Sequence, residues 1–214
     1  QASAVNGVAI GSGATAIQNN GIAIGSNAVN NRTNSSDAGE VNAISIGTNS
    51  SGYAYSIAMG YNASADGGQG DVLGAIAIGS NSIVNNRAGG VALGNYSYVN
   101  GANSVAIGTY SNSKGQNAVS IGTNAYTGAE RSVAIGHEAM ANGYGGLAIG
   151  FWSNSAGAGA TSFGNQAQAT SDFSSAIGFQ SKANAVNAVA IGVGSAASAT
   201  NTVAIGRRAK ASNT

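Results

Sequence analysis

Asn103-Ser104-Val105-Ala106-Ile107-Gly108-Thr109-Tyr110-Ser111 is the stretch whose reading decides the fold of this chain. Two large apolar residues flank a small one, a Gly follows, and a small residue stands three places beyond it. The same unit recurs with its Gly at 11, 25, 47, 60, 79, 94, 108, 122, 136, 150, 164, 178, 192 and 206, and nine of the thirteen spacings are 14. From Gly94 to Gly206 the register never slips. Self-similarity at a fixed short period is the signature of a solenoid, in which each repeat buries its apolar face only by stacking on its neighbours.

Positions within the unit divide between two faces. Val133-Ala134-Ile135-Gly136 and its counterparts alternate with period two, which reads as a strand. The large residues are expected to point inward. Three and five residues after the Gly the chain is again mostly small, as at Ala139 and Ala141 or Ala167 and Ala169, which reads as a second strand with small inward residues. The middle residue of the first strand (Ala92, Ala106, Ser120, Ala134, Ala148, Ala190, Ala204) is then expected to face outward. Its restriction to Ala or Ser predicts a close subunit contact along that face. Asn stands five residues before the Gly at Asn6, Asn20, Asn103, Asn117, Asn187 and Asn201. Asn tolerates a left-handed backbone, and stacked amides can bond from coil to coil, so these positions read as bends. A helix would pay roughly 1 kcal/mol for every Gly, and the apolar period is not 3.6.

Composition follows from this architecture. The 214 residues include 34 Gly, 42 Ala and 26 Asn, no Pro or Cys, and only 7% charged side chains with a net charge of +1. Disulfide frameworks, cysteine zinc sites and thiol catalysis are excluded. Eight scattered basic residues among seven acidic ones do not make a nucleic-acid surface. No apolar run approaches the roughly 18 residues of a membrane span.

The unit Asn103-Ser104-Val105-Ala106-Ile107-Gly108, with Asn117-Ala118-Val119-Ser120-Ile121-Gly122, Asn187-Ala188-Val189-Ala190-Ile191-Gly192 and Asn201-Thr202-Val203-Ala204-Ile205-Gly206, resembles the repeat of the YadA-like head domain of trimeric autotransporter adhesins. The resemblance covers essentially the whole chain. It implies an all-β, left-handed parallel β-roll of about fourteen 14-residue coils, packed as a homotrimer. It also implies a single head domain over residues 1–214, displayed on the Gram-negative outer membrane by a stalk and C-terminal anchor that this chain lacks. Only Asn103–Gly108 reads NSVAIG in full, and Thr161-Ser162-Phe163-Gly164 and Ser175-Ala176-Ile177-Gly178 depart furthest from the pattern.

Catalysis has little footing in the sequence. The single His, His137, has no phased carboxylates around it, and its neighbour Glu138 is expected to face the other way along a strand. Calcium-binding β-rolls need an Asp in every unit, which is absent. No enzyme activity, cofactor or metal is expected. The outward positions after the Gly carry Tyr96, Tyr98, Tyr110, Tyr126, Met140, Phe151 and Trp152, and such side chains are enriched at binding surfaces. They read as an adhesive stripe. Two outgrowths, near 30–40 with Arg32, Asp37 and Glu40, and near 66–71 ending at Asp71, are a second candidate. The expected function is a non-enzymatic adhesin head making multivalent contacts with a host matrix protein of the collagen, fibronectin or laminin type, or with a cell or abiotic surface. The alternative is a structural spacer presenting another domain.

Overall fold

The structure is a computed structural model that describes residues 1–3, 5–30, 42–66, 74–85 and 89–212. The expected outgrowths, including Arg32, Asp37, Glu40 and Asp71, lie outside the described residues. All regular structure among the described residues is β, with no helix, and it falls into two compact units, Gln1–Tyr110 and Ser111–Thr214.

Each unit is a parallel β-solenoid. In the first, the three-residue strands Val8–Ile10, Ile22–Ile24, Ile44–Ile46, Ile57–Met59, Ile76–Ile78, Val91–Leu93 and Val105–Ile107 lie side by side in chain order. Two-residue strands, from Thr15–Ala16 to Tyr98–Val99, form the facing sheet. In the second unit the three-residue strands run from Val119–Ile121 to Val203–Ile205, and the two-residue strands from Asn112–Ser113 to Lys210–Ala211. Register follows the sequence period, with Val133 on Val119 and Leu147 on Val133. The fourteen-residue repeat is therefore the length of one coil.

From Gly94 to Gly206 each coil bends at two left-handed residues besides the repeat Gly, whose own φ lies between 120° and 138°. Asn6, Asn20, Asn103, Asn117, Asn187 and Asn201 have φ between 53° and 59°, as their spacing predicts. Asn6 Nδ2 donates to Asn20 Oδ1 at 3.1 Å and Asn187 Nδ2 to Asn201 Oδ1 at 3.0 Å, so the amides do bond from coil to coil. The second left-handed position, two residues after the repeat Gly, is shared by Asn124, Glu138, Trp152, Gln166 and Gln180. That mixture of residue types hid it from the sequence. Hydrogen bonds of 2.8–3.0 Å, such as Trp152 N to His137 O and Gln166 N to Phe151 O, carry the backbone ladder through these bends. The small residue three places after the Gly closes a turn by donating its N–H to the Gly carbonyl. Where it is Ser, as at Ser153 and Ser181, the hydroxyl donates to the same oxygen at 2.9 and 3.0 Å.

The interior reverses one expectation. Ala92, Ala106, Ser120, Ala134, Ala148 and Ala190 are completely buried and Ala204 almost so, and they turn into the coil instead of facing a neighbouring subunit. Ala134 and Ala148 pack against Ala139 and Ala141 of the facing strands. The flanking Val133 and Ile135 are only half-buried, and Ile177, Val203 and Ile205 are exposed. The coil is so narrow that small side chains from both sheets fill it, and the large residues are left on the outer face. The prediction for the second strand, with small residues inward, agrees with the structure. Larger interior residues are few, among them Val84 and Val99, which are register partners on adjacent strands, and Thr127.

Candidate functional site

The bend two residues after each repeat Gly projects a side chain from the edge of the coil, and the strand that follows projects another from its outer face. Candidate contact residues thus form two columns where the sequence suggested one stripe. In the first unit Tyr96 and Tyr110 occupy the bend column. Their rings stack with centroids 5.0 Å apart at 10°, and both are exposed. Tyr98 lies on the strand face, half-buried, and accepts at Oη from Asn85 Nδ2 at 3.3 Å.

In the second unit Tyr126 and Met140 are register partners on the strand face, and the Lys114 ammonium sits 5.2 Å from the Tyr126 ring centre. Phe151 and Trp152 lie instead at the bend. Their rings stack at 4.7 Å, and Phe151 stacks on His137 at 5.3 Å. The Trp152 indole Nε1 donates to Glu138 Oε2. Glu138 does not face away from His137: both belong to the bend, and His137 Nε2 lies 3.8 Å from Glu138 Oε1. A braced stack of His137, Phe151 and Trp152 results. Adjacent coils present Asn165 and Gln166, then Phe179 and Gln180, with Gln180 Nε2 donating to Gln166 Oε1 at 2.7 Å. Phe179 is exposed and was not singled out from the sequence, although it stands in the same phase as Phe151. On the opposite bend the Arg131 guanidinium donates to Tyr144 Oη at 2.6 Å and lies over its ring.

The repeat-motif residues Asn103 to Gly108 are divided by role. Asn103 makes the bend, Ser104 and Ala106 are buried, and Val105 and Ile107 remain half-buried on the outer face. Among the described residues no group of three His, Asp or Glu could hold a metal ion.

These features define a class: a repeat-built β-roll whose chemistry lies on exposed columns of its outer surface. The family model for the YadA head domain repeat matches residues 2–28, 54–70, 88–111, 113–139 and, in overlapping copies, 141–214. With well over half its length matched, the chain belongs to the YadA head family, the head domains of trimeric autotransporter adhesins. A crystal structure of the collagen-binding domain of the Yersinia adhesin YadA is similar, with 28% identity, a TM-score of 0.43, and coverage of 72% of this chain and 68% of that one. No curated protein sequence matches the chain significantly.

Proposed function

We propose that this chain is the head of a homotrimeric, surface-displayed adhesin that attaches without catalysis to a host matrix protein, cell or abiotic surface. The observation that carries the reading is the pair of stacked aromatic contacts, Tyr96 on Tyr110 and Phe151 on Trp152, exposed on bends that the backbone ladder holds in place. Rigid amphipathic rings offer large contact area at little cost in conformational entropy. Family membership supports the adhesive role and an outer-surface address.

Trimer packing falls to the outer Val and Ile columns of the three-residue strands, since the Ala column is already spent inside the coil. Val105, Ile107, Val133 and Ile135 are half-buried in the single chain and gain further burial when three such faces meet. Three heads on one fibre, and many fibres per cell, multiply weak contacts into firm attachment.

The test combines light scattering with attachment of the chain to surfaces coated with collagen, fibronectin, laminin or plastic. Replacing Tyr96, Tyr110 and Trp152 by Ser is expected to reduce attachment while the particle stays trimeric. Unchanged attachment of a folded trimer overturns the assignment of these columns, and a monomer in solution overturns the packing.

A further inference from the structure

The bend edge of the second unit has a composition that the first unit does not share. Successive coils there present Thr123 with Asn124, His137 with Glu138, Phe151 with Trp152, Asn165 with Gln166, and Phe179 with Gln180. Nine of these ten side chains are exposed, and Gln166 is half-buried. We propose that this edge binds an uncharged oligosaccharide lying along it, with Trp152 and Phe179 stacking on sugar rings, Phe151 backing Trp152 from within, and the Asn124, Gln166 and Gln180 amides bonding to hydroxyls. The inference rests on the adhesin reading and names the ligand class for one of its surfaces.

Four features favour this occupant. A pyranose ring has an apolar C–H face and a hydroxyl rim, which calls for an exposed aromatic ring with mixed donors and acceptors beside it, as Trp152 and Phe179 are placed here. The coils are about 4.8 Å apart, so those of Trp152 and Phe179, two apart, are spaced by about 9.6 Å with an amide row between them. Alternate sugar rings of an extended glycan can therefore stack while the ring between them bonds to Asn165 and Gln166. The edge is pre-organised: the Trp152 indole is tied to Glu138 and rests on Phe151, which stacks in turn on His137, and the Gln166–Gln180 bond does not use the Gln166 amide N–H groups or the Gln180 amide oxygen. Charge selects against the other obvious ligands. The only formal charge on these five bends at neutral pH is Glu138, which disfavours sulfated or phosphorylated chains there; the cations of this edge, Arg207 and Arg208, stand two coils beyond Phe179, and the heparin titration tests them. Proline-rich peptides dock in aromatic-lined grooves, whereas these rings stand on the outer bend of a coil.

Trp152 is the only tryptophan of the chain, so its fluorescence reports on this edge alone. The full chain is titrated with cellohexaose, with the N-acetylglucosamine hexamer, with a heparin fragment and with decaproline. A saturable change in Trp152 emission is expected with at least one of the two neutral hexasaccharides. Phe179→Ala or Gln166→Ala should weaken it by about tenfold, with an unchanged circular dichroism spectrum. Phe173→Ala, at an exposed ring on the opposite bend, should leave it unaltered. A response to heparin or decaproline alone, no response to either neutral hexasaccharide, or a response indifferent to Phe179→Ala and Gln166→Ala overturns the proposal. Attachment assays separate it from the broader reading. If the chain attaches to coated surfaces but the hexasaccharides do not compete, only this inference falls; if it attaches to nothing, the adhesin reading falls as well.

Discussion

A Cβ built on Gly136 lies 2.6 Å from the carbonyl oxygen of Gly150, its counterpart one coil along. Both residues have φ near +130°, so each is held to Gly by its own backbone and by the stack above it. Gly136→Ala is expected to destabilise the chain by roughly 3 kcal/mol in urea unfolding. At Gly206, with φ of +120°, the same Cβ meets only the Ala209 Cβ at 4.0 Å, and Gly206→Ala should cost clearly less. Equal losses would show that the dihedral alone matters and that the close approach contributes nothing.

Gly145 offers the opposite case. It sits at the left-handed bend that Asn117 and Asn187 fill in other coils, with φ of +63° and nothing within 4 Å of a built Cβ. Gly145→Asn should raise stability by roughly 0.5 kcal/mol through a stiffer unfolded chain, and Gly145→Val should lower it by roughly 1–2 kcal/mol. Thermal unfolding of the two variants checks the ordering.

Ala134 and Ile135 are chain neighbours on opposite faces of one strand, and they should fail differently. Ala134→Val forces a larger group between sheets packed Ala on Ala and should cost roughly 2 kcal/mol with loss of β signal at lower temperature. Ile135→Ser removes an apolar group from the outer face. The β spectrum should survive, while light scattering reports a smaller particle.

Thr127 sits in a buried hydroxyl chain, 2.9 Å from Ser120 Oγ and donating to Ser113 Oγ at 3.1 Å. Thr127→Val keeps the volume but removes both of these bonds, while Ser120 Oγ still donates to the Asn112 carbonyl and Ser113 Oγ to the Ala118 carbonyl, so the change should cost roughly 1 kcal/mol. Thr127→Ser, retaining the hydroxyl, should recover most of that loss in the same unfolding experiment.

Much of this architecture is legible in the chain itself. A Gly held in phase with Val-Ala-Ile and with Ala or Ser three places on announces a stacked coil, and the Asn column announces one of its two bends. The other bend left no such trace, because Glu138, Trp152 and Gln166 share a left-handed backbone without sharing any side-chain property. The aromatic residues were visible as a group but not as two columns. Phase alone does not tell whether Tyr98 and Trp152 project from a strand face or from an edge, and Phe179 went unremarked although it stands in the phase of Phe151.

What the sequence by itself determined is the period, the two-faced strand and the residues confined to each face. Only the tertiary structure decided which face is inside. Alternation with period two separates Ala134 from Val133 and Ile135 but is symmetric between in and out. The choice depends on the distance between the two sheets, and that distance is set by how tightly fourteen residues and two left-handed bends close one coil. Closed that tightly, the coil has room for Ala against Ala, and the larger side chains can go only to the outer face.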